Sequence, residues 1–190
     1  MYFAEDSIPS EGGRYKVTEA YSVRDFNLVD QDHKSITQQQ LRGYIYVADF
    51  FFTRCGSICP KMTTQLTRVQ EEFLKDTTVK IVSFTVDPKN DTAEVLKSYA
   101  TEYGAIPGKW RFVTGAKDSI YTLAQKGYFI TAMEDTAHPV DFIHSDKLVL
   151  VDKQGWIRGY YNGTDRKEVN KLITEIKVLE EIYADESASR

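Results

Sequence analysis

Cysteine is nearly missing from this chain: 190 residues hold two, Cys55 and Cys59, with three residues between them. A network of structural disulfides is therefore excluded. One ring that short would remove only about 2 kcal/mol of unfolded-chain entropy, so the pair is read as chemistry rather than as a staple. Long hydrophobic runs are missing too. The most apolar stretch, Tyr44 to Phe52, is too short to cross a bilayer and carries Asp49. There is no basic surplus: 24 Lys and Arg face 28 Asp and Glu, a net charge of −4, which excludes binding to a phosphate backbone as the principal role. The start, Met1 to Gly13, is acidic and contains Gly, Ser and Pro. It has neither the cationic lead nor the apolar core of a signal peptide, so any export signal or anchor is expected to have been removed or never to have been present. What remains is the composition of an ordinary soluble globular protein, with 42% apolar and 27% charged residues. The expected organisation is an N-terminal arm over 1–22, one domain over 23–184 and a frayed tail over 185–190.

The hydrophobic periods alternate between strand and helix, which predicts a mixed α/β chain. Phe26 to Val29 reads as a short strand followed by a polar turn from Asp30 to Ser35. Tyr44 to Phe52 is apolar on both alternating faces, as in a central strand covered on both sides. From about Pro60, Met62, Leu66, Val69 and Phe73 recur at helical spacing, and Pro60 is tolerated in a first turn. The cysteines thus fall where a buried strand hands over to a helix. A further strand, Val79 to Val86, ends at Asp87-Pro88. Asp91 with Glu94 then resembles a helix start, and Val95, Leu96, Tyr99, Ala100 and Tyr103 supply the inner face. Trp110 to Val113 is a strand, and Lys117 to Lys126 a helix that Gly127 is expected to close in a left-handed cap. Lys147 to Val151 and Trp156 to Tyr161 form a hairpin around Asp152 to Gly155. A last helix starts at Thr164 or Asp165 and turns Val169, Leu172, Ile173, Ile176, Leu179 and Tyr183 to one side. This layout is that of a thioredoxin-like sheet flanked by helices, though pattern alone leaves other α/β topologies open.

Three intervening residues put the two sulfurs about one helical turn apart, near enough to bond to each other or to grip one metal ion. The helix N-terminus that follows favours thiolate over thiol, which serves both exchange and ligation. The bland alternative is a pair of buried structural thiols.

Phe52-Thr53-Arg54-Cys55-Gly56-Ser57-Ile58-Cys59-Pro60 resembles the copper-site signature of the Sco/SenC family of copper-binding thioredoxin-fold proteins. Val86-Asp87-Pro88 with Asp91-Thr92 is similar to that family's Asp-Pro segment. Gly108-Lys109-Trp110 through Val113-Thr114-Gly115 is similar to its Trp and Thr-Gly segment, and Phe142-Ile143-His144-Ser145 to its histidine loop. The resemblance implies a thioredoxin-like fold with an N-terminal strand extension, and Cys55, Cys59 and His144 as ligands of one copper ion. Two thiolates and an imidazole suit Cu(I), and an added oxygen ligand accommodates Cu(II). Zinc accepts the same donors, and the resemblance decides for copper. The implied role is a metallochaperone that assists assembly of the binuclear copper centre of cytochrome c oxidase, with that enzyme's copper-bearing subunit or another copper or thiol protein as partner. The implied place is the periplasmic side of a bacterial inner membrane or the mitochondrial inner membrane facing the intermembrane space. The family's membrane anchor is absent from the chain as given and is expected in the full-length protein, and a monomer is expected. The alternative is a metal-free thiol-disulfide oxidoreductase using the same pair, the sulfurs then being the catalytic groups; peroxidase chemistry is a weaker third. Gly56-Ser57 departs from the family pattern, where relatives often carry an acidic residue, so partner recognition there is expected to differ.

The remaining candidates are weighed singly. His33 lies in a polar turn and reads as a solvated side chain. His138 is six residues from His144, with an exposed loop position as the simpler reading; Met133 is undecided and Met62 belongs to the apolar stripe. Asp49 interrupts the central strand six residues before Cys55, the offset at which thioredoxins carry a buried Asp. It reads either as a proton acceptor for the dithiol or as an Asp satisfied by its neighbours. Asp87 stands at a strand's carboxyl end, on the edge where α/β sheets place their sites, and reads as orienting a ligand or capping a loop.

Overall fold

The computed structural model describes residues 22–130 and 145–188, with side chains through 185. In chain order the elements begin with β1 (Asn27–Asp30), β2 (Ser35–Thr37), α1 (Gln38–Leu41), β3 (Ile45–Phe51), α2 (Ile58–Glu72) and β4 (Val79–Thr85). They continue with α3 (Ala93–Glu102), β5 (Trp110–Thr114), α4 (Lys117–Thr122), β6 (Lys147–Val151), β7 (Ile157–Asn162) and α5 (Arg166–Ala188).

The seven strands form one mixed sheet in the order β2-β1-β5-β4-β3-β6-β7. β3, β4 and β5 run parallel, and the outer pairs are antiparallel. The expected architecture of a central mixed sheet flanked by helices with an N-terminal strand extension is therefore what the chain adopts. β3 is buried at all seven positions because both of its faces are covered. On one face Ile45, Val47 and Phe51 pack with α2, α3 and α5 through residues such as Met62, Leu66, Leu96, Leu172 and Ile176. On the other, Tyr46, Ala48 and Phe50 pack with α1 and α4 through Leu41 and Ile120. Among the described residues no helix is long and apolar enough to cross a membrane.

Several boundaries differ from expectation, each for a local reason. The polar turn after β1 is shorter than its composition suggests, since Ser35–Thr37 pairs back on β1 as a second strand. Thr37 then caps α1 in a reciprocal bond pair with Gln40. α3 is capped by Thr92 rather than Asp91, and Val95 lies 39% exposed while Ala93 and Leu96 face inward. Gly127 makes no left-handed cap. It sits inside a π-helical turn, Leu123–Gly127, and the positive φ falls two residues later on Phe129 (φ 53). A Cβ at Gly127 would stand 2.7 Å from Leu123 Cδ1, so close packing is what glycine supplies there. α5 runs on to Ala188, past Asp185 where a frayed tail was expected, because nothing between them breaks a helix.

Candidate metal and thiol centre

The centre forms where β3 ends beneath the start of α2. Val86 donates its N–H to Phe51 O at 2.8 Å, so the exits of β3 and β4 leave the sheet side by side. The chain turns at once, with the Cys55 N–H on Phe52 O at 3.2 Å, and α2 opens at Ile58, two residues earlier than the apolar stripe indicates. Ser57, the residue before the helix, makes no side-chain cap. Instead the Cys59 N–H donates to Cys55 Sγ at 3.4 Å, and the Ser57 hydroxyl stands 3.8 Å from the same sulfur. Because Pro60 has no N–H, the sulfur of Cys55 does the work of an N-cap acceptor at this end of the helix.

Both thiols are free and buried, at 6% and 3% exposure. They are not equivalent. The Cys59 thiol bonded to it holds Cys55 far below the ordinary thiol range, helped by the Ser57 and Cys59 N–H groups, although burial opposes the shift. Donating that bond pushes Cys59 upward, and burial, the Cys55 charge and Asp49 add to the push. The pair thus favours one thiolate on Cys55 and one retained proton on Cys59.

Asp49 lies in the same layer as the sulfurs, 1% exposed. Burial raises its carboxyl to about 7, against the stabilising hydrogen bond from Ser83. Ser83 is its register partner on β4 and donates to Asp49 Oδ1 at 2.5 Å, while Trp110 Nε1 donates to the Ser83 oxygen at 2.9 Å. This chain fixes the carboxyl under α2, close enough for its charge to act on Cys59.

Two further carboxylates hold the cysteine loop. Asp91, fully buried, accepts the Thr53 N–H at 3.0 Å, the Thr53 hydroxyl at 2.5 Å and the Thr85 hydroxyl at 2.5 Å. Asp87 accepts Arg54 Nη2 at 2.7 Å and the Asn90 amide at 2.9 Å on each oxygen. The loop after β3 is thereby tied to the loop after β4 at both residues preceding Cys55. Thr53, Arg54, Ser83 and Asp91 are the site residues that sequence reasoning missed. The available signal was Asp91-Thr92, two cap-type residues in succession where a helix needs one.

Cys55 and Cys59 are brought together as their spacing implies. His144, His138 and Met133 lie outside the described residues. Among the described residues no group of three His, Cys, Asp or Glu stands in metal-holding geometry. Met62 is wholly buried in the core, and His33 is exposed with its Nε2 2.8 Å from Glu94 Oε1 on α3. Asp87 caps the loop after β4, the simpler of its two readings, and also holds Arg54. The donor set itself fits a soft monovalent metal: two sulfurs, one already disposed to be a thiolate, in a site screened from water.

Comparison with known proteins identifies relatives of this chain. The family model described as SCO1/SenC matches residues 16–179. The chain is 33% identical over 159 residues to the SCO1 protein homolog of Bacillus subtilis, covering 83% of this chain and 82% of that protein. It is 28% identical over 142 residues to a protein of Stutzerimonas stutzeri named for copper binding, covering 73% and 68% respectively. The solved structure of BsSco superposes with a TM-score of 0.74 at 32% identity over 86% of this chain and 96% of that one. It is described as a member of the Sco family of cytochrome c oxidase assembly proteins and associated with a disulfide switch.

Proposed function

The chain belongs to the SCO1/SenC family, and from that premise we propose that it binds one copper ion through Cys55, Cys59 and His144 and assists assembly of the copper centre of cytochrome c oxidase. The observation that carries this reading is the bond from the Cys59 N–H to Cys55 Sγ, which makes one of two adjacent sulfurs a ready soft donor before any metal arrives. A second thiolate and an imidazole complete a set suited to Cu(I), and an oxygen ligand would extend it to Cu(II). With so few ligands on an edge of the sheet, the ion can leave by stepwise ligand exchange, as delivery requires. The partner on this reading is the copper-bearing oxidase subunit or another copper or thiol protein. The setting is the periplasmic face of an inner membrane or the mitochondrial intermembrane space, with 23–184 acting as one monomeric unit.

Copper titration of the reduced protein tests the reading. Wild type should bind one equivalent of Cu(I). Cys55→Ser and Cys59→Ser should lose stoichiometric binding, and His144→Ala should weaken it by about 10-fold or more, in the range seen when a metal site loses one supporting group. An unchanged titration and spectrum in His144→Ala would remove His144 from the site.

The inequality of the two thiols favours a second activity on the same pair, thiol-disulfide exchange. In that reaction Cys55 is the attacking thiolate and Cys59 the resolving thiol. Asp49 then has a role as acceptor of the Cys59 proton, whether the sulfur is released to a metal or to a disulfide. An Asp49→Asn variant in which the pH dependence of copper binding and disulfide turnover stays that of wild type would end that role.

A further inference from the structure

Among the described residues, the two loops that frame the dithiol expose charge of one sign. In the two loops that frame it and the first turns of α2, residues 52–64 and 86–92, the basic residues are Arg54, Lys61 and Lys89, and all three are exposed. The acidic residues of the same stretches are Asp87 and Asp91, at 4% and 0% exposure, turned inward on the hydrogen bonds described above. The chain as a whole carries −4, so this edge runs against the net charge of the molecule. Gly56 and Ser57, also exposed, stand between the cysteines and add no charge. Arg54 is anchored rather than loose: one nitrogen sits on Asp87 at 2.7 Å while its side chain stays 62% exposed. A guanidinium held in this way presents its remaining N–H groups outward as a preformed fork for a carboxylate.

Resting on the reading above, we propose that Arg54, Lys61 and Lys89 form a cationic docking rim that selects an acidic protein segment carrying the cysteines this dithiol serves. Attraction of opposite charges raises the encounter rate and orients the incoming sulfurs toward Cys55. The held Arg54 also gives a short-range contact that persists after encounter.

The test uses two synthetic peptides with the same cystine loop, one flanked by glutamates and the other by lysines, so that only charge differs. In the reaction followed, the Cys55 thiolate attacks a peptide sulfur, forming a mixed disulfide and expelling the other peptide sulfur as a thiolate. Cys59 then loses its proton and attacks Cys55 Sγ, releasing the second peptide thiolate. The protein pair is oxidised to a disulfide and the peptide disulfide is reduced by two electrons, one peptide sulfur taking the Cys59 proton and the other leaving as a thiolate that takes a proton from water.

At low ionic strength the glutamate peptide should react about 10-fold faster than the lysine peptide. That advantage should disappear at 1 M salt, where screening acts within about 3 Å. In the Lys61→Glu/Lys89→Glu variant, whose changes are on exposed side chains, the order should be abolished or reversed. Arg54→Gln should reduce the preference further at moderate salt. Equal rates for the two peptides in wild type, a preference untouched in the folded double variant, or no reaction with either peptide each overturns the rim. Copper titration of the same proteins separates the two readings: a one-equivalent endpoint with no charge preference sinks the rim alone. A charge preference without copper binding sinks the copper role alone.

Discussion

Asp49 occupies the hardest place in this molecule for a negative charge, the middle of a strand covered on both faces. One serine hydroxyl, itself oriented by Trp110, offsets only part of the desolvation, and the carboxyl is left near pH 7. The linkage has a definite sign. Below the ordinary carboxyl range both folded and unfolded chains hold the proton, and the full stability is present. As the pH rises from about 4 to 7 the unfolded chain releases the proton while the folded chain keeps it, so stability falls across that window. Denaturant unfolding from pH 4 to 8 should show wild type losing stability relative to Asp49→Asn, the depressed Cys55 thiol contributing the opposite trend to both proteins. The same profile in both proteins would mean that Asp49 ionises freely in the fold. The cysteines follow a related logic: identical side chains four positions apart titrate in opposite directions because Cys55 accepts the hydrogen bond of the Cys59 thiol and Cys59 donates it, burial adding to the rise at Cys59.

At the scale of elements, the cysteine loop is held from below by β3 and from the side by the loop after β4. Asp91 is the tether. It takes three hydrogen bonds from Thr53 and Thr85, its own side chain fully buried. Asp91→Ala should cost about 3 kcal/mol in denaturant unfolding, since it strands buried donors. It should also alter the alkylation rate of Cys55, because Thr53 lies two residues away. A variant with wild-type stability would show the tether to be idle. The far end of α2 is secured by another device that its sequence does not announce: Lys109, 7% exposed, donates its ammonium to Phe73 O, Asp76 O and Val79 O. A lysine just before β5 thus ties the C-cap carbonyl of α2 to the loop and strand that follow it.

Across the whole molecule the core is split between the two faces of the sheet, and the dithiol belongs to the layer formed by α2, α3 and α5. Tyr161 donates to Glu175, and Arg68 reaches Asn170 Oδ1 at 2.6 Å, so α5 is fastened to both β7 and α2. Ile176, on α5, is wholly buried in that layer. Ile176→Ala should destabilise the fold by about 2 to 5 kcal/mol while leaving Cys55 the more reactive thiol, as read by paired denaturation and alkylation measurements. Loss of the thiol inequality in that variant would mean that the site draws its electrostatics from the distant core rather than from its own loop.

Hydrophobic period and the two cysteines were enough to determine the strand-helix order, the central place of β3, the core stripe of α2 and the position of the dithiol at a helix start. Each of these depends on local spacing and on side-chain type, which the chain carries directly. Only the tertiary structure decided that Asp91 turns inward instead of capping α3, that Arg54 leans on Asp87, that Ser83 and Trp110 govern Asp49, and that Lys109 closes α2. Those partners are separated by 27 to 38 residues in most cases, and no local pattern brings them together. The sheet does so, because parallel strands return their loops to one edge and convert distant residues into neighbours whose charges and hydrogen bonds must be mutually satisfied.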